Sequence, residues 1–297
     1  MTATPDILCI GSVLWDIIGR TESDLSTRGD MAGQITRIPG GVAMNIAMTV
    51  ARFGMRPSVL TAIGFDHEGD DLLIATQSLG VGTEYVYRDN ALPTDRYMAI
   101  EDCTGLVAAI ADAHSLEAAG DAILAPLSDG RLGTAQTPWR GQIALDGNLT
   151  AALLAEIAVS PLFSCADLRV APASPGKAER LLPVMRHPGA TLYVNLQEAG
   201  LLCETRFKTS ADAANGLVRL GAARALVTDG ARDASDAAQG QPTLSHPART
   251  VQARRITGAG DTFMAAHLFA ESQGASRFDA LQRAQAAAAA YVAFEED

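Results

Sequence analysis

Three small residues and a carboxylate, Gly258-Ala259-Gly260-Asp261, stand in front of a stretch that carries Phe263, Met264 and Leu268 at helical spacing. At a helix N-terminus such residues leave successive backbone N–H groups bare, and the macrodipole and unpaired amides there favour an anion. Asp261 falls in the first turn, close enough to take a proton from a hydroxyl held against that anion. Amides that stabilise charge on a moving group, with a carboxylate that deprotonates the nucleophile, are what phosphoryl transfer requires. The same stretch would also serve as an ordinary helix N-cap built on Thr257 or Asp261.

Three more places suit that chemistry. Gly40 and Gly41 permit close backbone approach to a ligand, and Asn45 offers both a donor and an acceptor from the helix that follows; a plain turn before a helix is the competing reading. Asn195 and Glu198 lie three apart at a strand-to-helix junction, which puts both polar groups on one face and suits Mg²⁺ held through water. A capping box, Asn195 answered by Glu198, uses the same two residues. Finally, a strand ends at Thr228 and Gly230, where a nucleotide phosphate or ribose could lie at the carboxyl edge of a sheet.

The elements that must position these residues are legible as an alternation. "DILCIGSVL" is a short apolar run ending near glycine, "AMNIAMTVARFG" is helical with Gly54 as its stop, "PSVLTAIG" is a strand and "DHEGDDLLIATQSLG" a helix with acidic residues in its first turn. Strand, helix, strand, helix predicts an α/β fold with a parallel sheet covered on both faces. Between about 84 and 112 the order breaks. Two alternating runs joined by Asp102-Cys103-Thr104-Gly105 predict a β-hairpin, suited to a lid or a subunit contact. Residues 127 to 141 read as an irregular connection. The alternation then resumes through strands "QIALDG", "DLRVAP", "ATLYVN" and "ARALVTDG" and helices "LTAALLAEIA", "GKAERLLPVM", "QEAGLLCE" and "SADAANGLVRLG". Residues 229 to 242 read as a mobile loop, and two helices separated near Gly274 end the chain.

Composition narrows the function classes. With 297 residues, 48% hydrophobic and 19% charged, the chain can bury a large core and has no apolar run of membrane-spanning length. The excess of 34 acidic over 23 basic residues, a net charge of −11, gives no electrostatic support for nucleic acid or an anionic membrane as partner. The N-terminus reads as a first strand rather than a signal peptide. The four cysteines, Cys9, Cys103, Cys165 and Cys203, have no metal-binding spacing and read as reduced packing thiols, which fits a cytoplasmic protein.

Taken together these residues resemble the ribokinase-like (PfkB) carbohydrate kinases, over nearly the whole chain and in the family's order. The N-terminal signature fits from Gly40-Gly41 through Asn45, Ala47 and Gly54 to Gly64; the C-terminal one fits at Thr257 to Asp261, with the N-x-x-E motif at Asn195 to Glu198 and the nucleotide strand at Thr228 to Gly230. The resemblance implies one three-layer α/β/α domain over 1–297, with a mostly parallel central sheet and a small β lid from about 14–38 and 84–112. It implies transfer of the γ-phosphoryl of ATP, with Mg²⁺, to a hydroxymethyl group of a sugar or nucleoside. Asp261 is then the base, Gly258 to Gly260 the anion hole, and Asn195, Thr228, Gly230 and Thr257 nucleotide contacts, with Asn195 and Glu198 holding Mg²⁺. Asp16 matches the acceptor-binding aspartate, beside Gly40, Gly41 and Asn45. A carboxylate suits a neutral diol, since each hydroxyl can donate to it.

The lid stretch looks most like pseudouridine kinases, through its Tyr-containing first strand, its Asp-x-Thr-Gly turn and Asp112. "APASPGK", with Lys177, is similar to a segment of that subgroup. Pseudouridine is therefore the expected acceptor, with ribose, another nucleoside or a ketose as alternatives. The hairpin edge predicts a homodimer through the lid. Arg255 and Ile256 depart from the family pattern, which puts monovalent-cation activation in question; Leu14, Ala171 and Asp233 depart as well. A non-catalytic sensor is a competing class that the intact Asp261 speaks against. A dinucleotide oxidoreductase is disfavoured because "GGVAMN" lacks the G-x-G-x-x-G order.

Overall fold

A computed structural model describes residues 4–24, 30–103, 105–253 and 255–294. The chain begins with β1 (Ile7–Ile10), buried throughout, and then makes two antiparallel strands, β2 (Leu14–Arg20) and β3 (Gln34–Gly40). α1 (Val42–Arg52) buries Ala43, Met44, Ile46, Ala47 and Val50, the spacing of one helical face. The single strand expected over "PSVLTAIG" is two, β4 (Pro57–Leu60) and β5 (Ala62–Gly64). α2 (His67–Ser78) starts at Asp66, whose side chain accepts from the Gly69 N–H at 2.7 Å. β6 (Tyr87–Asp89) pairs with β5, and β7 (Arg96–Asp102) and β8 (Gly105–Asp112) form the expected hairpin, whose Thr104 lies outside the described residues.

The short α3 (Ser115–Ala119), a 3-10 stretch at Gly120–Leu127 and irregular chain lead to the second half. There β9 (Gln142–Asp146), α4 (Ala151–Val159), β10 (Asp167–Ala171), β11 (Ala190–Asn195), α5 (Leu196–Leu202), α6 (Ser210–Leu220) and β12 (Arg224–Thr228) follow in order. The helix expected over "GKAERLLPVM" is two 3-10 turns, Pro175–Leu181 and Val184–Arg186. Pro183 brings no amide donor to continue an α ladder. The mobile loop expected at 229–242 contains a strand of the central sheet. β13 (Ala234–Ala238) runs antiparallel to β12 and is followed by β14 (Leu244–His246). Its acidic composition concealed it: Asp236 is fully buried, but Arg224 at 2.7 Å and Arg277 at 2.9 Å neutralise it. α7 (Ala259–Ser272) and α8 (Arg277–Ala293) end the chain as expected.

The central sheet has eight strands in the order β14-β13-β12-β11-β10-β9-β1-β4, parallel from β12 to β4. Strand alternation divides its side chains between two cores. Leu8, Ile10, Ile143 and Leu145 face a layer with residues of α4, α5 and α6, whereas Ile7, Cys9 and Ala144 face one with residues of α1, α7 and α8. This is the three-layer α/β/α arrangement expected from the sequence. Of the cysteines, Cys9 packs in this core, while Cys103 and Cys165 are exposed.

A separate four-stranded sheet, β3-β2-β7-β8, forms the lid. Its strands lie at 14–40 and 96–112; β6 belongs with β5, and residues 25–29 lie outside the described residues. Trp15 fastens the base of the lid, its Nε1 donating to the Glu68 carbonyl of α2 at 2.9 Å. Among the described residues no helix is long and apolar enough to cross a membrane.

Candidate active site

Parallel strands point their carboxyl ends to one edge, and the predicted residues collect there. α1 and α7 bring their N-termini together at this edge. Asn45, one turn into α1, donates from Nδ2 to Asp261 Oδ2 at 2.8 Å, across 216 residues of sequence. α7 begins at Gly258, which is left-handed at φ 87, and no side chain caps it. The reading of "TGAGD" as an N-cap by Thr257 or Asp261 is therefore not what the fold uses. Thr257 instead accepts at its carbonyl from the Tyr291 hydroxyl at 2.9 Å, and Asp261 turns to Asn45. Of the amides expected in the anion hole, that of Ala259 donates to the Ile256 carbonyl at 3.1 Å. Those of Gly260 and Asp261 are left for a ligand at the positive end of the helix, and open space surrounds the Gly260 α-carbon.

Gly40 and Gly41 have steric reasons. A Cβ at Gly40 would run into the Asp16 carboxylate, and Gly41, at φ 96, packs against Ser12. Asp16 is held on β2 opposite Ile38 and beside Tyr97 of β7, all on one face of the lid. Burial raises its pKa to about 6. Asp261 is pushed further, to about 7, first by burial and then by the charges of Asp146, Glu198 and Asp16, against the hydrogen bond from Asn45.

Asp146 was not singled out from the sequence. It ends β9 fully buried and accepts from the Ser12 N–H at 2.8 Å and the Asn148 N–H at 2.8 Å. Asn148 Nδ2 also reaches Ser12 Oγ at 3.0 Å, and that hydroxyl accepts from the Val42 N–H at the start of α1. The available signal was the position of Asp146 and Asn148 at the end of a predicted strand. Lys177, expected at the acceptor, donates to Asn148 Oδ1 at 2.7 Å and so braces this network. Asp112 is not brought to the site. It pairs with Arg96, one residue off the Tyr97 register, and so projects from the lid face opposite Asp16.

Asn195 and Glu198 form the capping box: the Asn195 N–H donates to Glu198 Oε2 at 2.8 Å and the Glu198 N–H to Asn195 Oδ1 at 2.9 Å. This leaves the Asn195 NH₂ and the second Glu198 oxygen. Burial raises the Glu198 pKa. The charges of Asp16, Asp146 and Glu198 all reach Asp261, so carboxylates from four elements share this edge, a hard-oxygen set that suits Mg²⁺. Among the described residues no three ligands are preassembled for a metal. Thr228 pairs with Asn195 at the ends of β12 and β11, and Gly230, at φ 57, follows in open space, so both flank Glu198 along the same edge.

The sequence matches the pfkB family carbohydrate kinases over residues 4–295. It is 30% identical over 291 residues to an uncharacterized sugar kinase, YeiI, of Escherichia coli, covering 94% of this chain and 76% of that protein. A shorter match, 34% identical over 102 residues, covers 33% of this chain and 32% of a pseudouridine kinase of Escherichia coli. A carbohydrate kinase from Agrobacterium tumefaciens superposes with a TM-score of 0.78 at 25% identity, over 95% of this chain and 89% of that one. The uncapped α7 turn and the facing carboxylates therefore sit in a chain that belongs to the pfkB family of carbohydrate kinases.

Proposed function

We propose that this chain transfers the γ-phosphoryl of ATP to a hydroxymethyl group of a small uncharged polyol, with pseudouridine as the first candidate acceptor. The observation that carries this reading is the placement of Asp261. Its half-buried carboxylate is oriented by Asn45 and raised to about 7, and it shares the first turn of α7 with free backbone amides. A base tuned near neutral pH, one residue from an anion site, suits deprotonation of a hydroxyl during transfer.

Bound MgATP would supply the phosphoryl group and neutralise its developing charge. Glu198 and the Asn195 amide would hold the metal through water, with Thr228, Gly230 and Thr257 along the nucleotide. Asp16 would accept hydrogen bonds from two acceptor hydroxyls, with Gly40 and Gly41 giving room for them. Asp261 would take the proton of the attacking hydroxyl, and the amides of Gly260 and Asp261 would receive the transferring charge.

An uncharged acceptor follows from electrostatics. Asp16 and Asp261 supply negative charge where the acceptor would lie, and Lys177 is engaged by Asn148, so a phosphorylated sugar would meet repulsion there. The partial match to a pseudouridine kinase and the presence of Tyr97 beside Asp16 favour a nucleoside with a ring to stack. Ribose, another nucleoside or a ketose is the second reading, since the longer match is to a sugar kinase. We also assign a second copy of the chain to the outer lid face. Ile35, Met98, Ile100 and Ile110 project from the side opposite Asp16 and are 78%, 46%, 43% and 69% exposed.

The test is an ADP-release screen over pseudouridine, uridine, ribose, adenosine, fructose and 2-keto-3-deoxygluconate. Turnover with pseudouridine far above the others is expected. ATP binding with no ADP from any acceptor would replace the kinase with a sensor on the same fold.

A further inference from the structure

Arg255 stands just ahead of the anion-binding turn, and the chemistry proposed above leaves its charge without a task. The structure gives it a definite place. Its Nε donates to the Tyr291 carbonyl at 2.8 Å, and its backbone N–H to the Val292 carbonyl at 3.3 Å. Its guanidinium carbon lies 3.5 Å from the centroid of the Tyr291 ring and 4.2 Å from that of Phe294. These groups form the last turn of α8, where carbonyls lack intrahelical donors and the dipole presents its negative end. A guanidinium there supplies donors and charge, and the two aromatic faces add cation–π attraction.

The contact runs back to the turn by a second route. The Tyr291 hydroxyl donates to the Thr257 carbonyl, and the Gly258 α-carbon lies so close to that hydroxyl that a Cβ would collide with it. Arg255, Thr257 and Gly258 are thus fastened to one residue of α8. The turn has no apolar anchor of its own: Ile256 is 78% exposed, and Thr257 and Gly260 are exposed. Its position rests on the end of α8.

We propose that Arg255 is a positioning residue for phosphoryl transfer, clamping the Thr257–Gly260 turn to the C-terminal turn of α8 so that the amides of Gly260 and Asp261 are fixed where the triphosphate lies. The clamp rests on the kinase reading for its purpose.

The experiment measures binding of a non-hydrolysable ATP analogue with Mg²⁺ by calorimetry, on the full chain and on Arg255→Ala, Arg255→Lys and Tyr291→Phe. The binding measurement itself needs neither acceptor nor turnover. Arg255→Ala should weaken the analogue about ten-fold, and Arg255→Lys should recover to within about three-fold. Tyr291→Phe keeps the ring and loses the bond to Thr257, and should weaken it a few-fold. Millimolar guanidinium should restore part of the Arg255→Ala loss. Acceptor KM should change less than two-fold in Arg255→Ala. Analogue affinity unchanged in Arg255→Ala would overturn the proposal. So would an equal loss for analogue and acceptor with a lowered melting temperature, which would make Arg255 a general fold contact. If the unaltered chain phosphorylates no acceptor while Arg255→Ala still weakens the analogue selectively, the kinase reading fails and the clamp stands.

Discussion

Replacing Asp261 with Asn should make the protein more stable and nearly inactive, with a stability gain that grows as pH rises from about 4 through 7. Burial and the neighbouring charges of Asp146, Glu198 and Asp16 lift this carboxyl from 3.8 to about 7. Its folded pKa lies above its unfolded one, so between those values the folded chain retains a proton that the unfolded chain has released. Stability therefore falls as pH rises from about 4 through 7. Three units correspond to ~4 kcal/mol at ~1.4 kcal/mol per unit. The side chain is only half-buried, and solvent screening reduces this to about 2 kcal/mol. Asn removes the charge yet can still accept from Asn45 through its own carbonyl. At pH 8 the variant should melt about 4 °C above the unaltered protein, and at pH 5 the gain should shrink to less than half of that. Scanning calorimetry at both values measures this directly. Turnover should fall by roughly 10²–10⁴, with ATP affinity held within a few-fold, because proton transfer is lost and no phosphate contact is. In the unaltered enzyme kcat/KM should rise with pH to a plateau above about 7. A variant no more stable at pH 8, or one that retains turnover, refutes the reasoning.

Asp16→Ala should raise acceptor KM by about ten-fold or more and leave ATP KM unchanged. Gly40→Ala should do the same, since its methyl would displace the Asp16 carboxylate. An unchanged acceptor KM in both would remove Asp16 from the pocket. Glu198→Gln keeps an oxygen for the Asn195 N–H, so the helix cap and melting temperature should persist. Its half-saturating Mg²⁺ should rise about ten-fold, and the kcat/KM midpoint should move below 7 because a negative neighbour of Asp261 is gone. Charging the lid face with Ile35→Asp and Ile110→Asp should turn a dimer into a monomer by analytical ultracentrifugation; a monomer before substitution would refute the assignment.

Local chemistry made much of this protein legible from its residues. Glycines at 40, 41 and 258 mark backbone that must approach a neighbour closely or turn left-handed. Apolar spacing marked α1, α7, α8 and most strands, because burial of one face follows directly from helix and strand periods. The alternation of strands and helices implied the parallel sheet, and with it the edge at which the site assembles. Legibility ended where a residue's role depends on what a distant segment brings to it. Lys177 braces Asn148 instead of lining the pocket, and Asp112 projects from the wrong lid face because register, not proximity in sequence, assigns faces. β13 looked like a polar loop until Arg224 and Arg277 were seen to neutralise Asp236.

The sequence by itself determined the chemical groups and their local frames: a bare helix start followed by Asp261, a cap at Asn195, and glycines where side chains cannot fit. Only the tertiary structure decided how those groups act together. Asn45 meets Asp261 because α1 and α7 converge, and the charges of three carboxylates from separate elements add to burial in raising the proton affinity of Asp261. Arg255 met the end of α8 for the same reason. Hydrogen bonds and charge coupling depend on distance and on exclusion of water, and neither exists until the chain has folded.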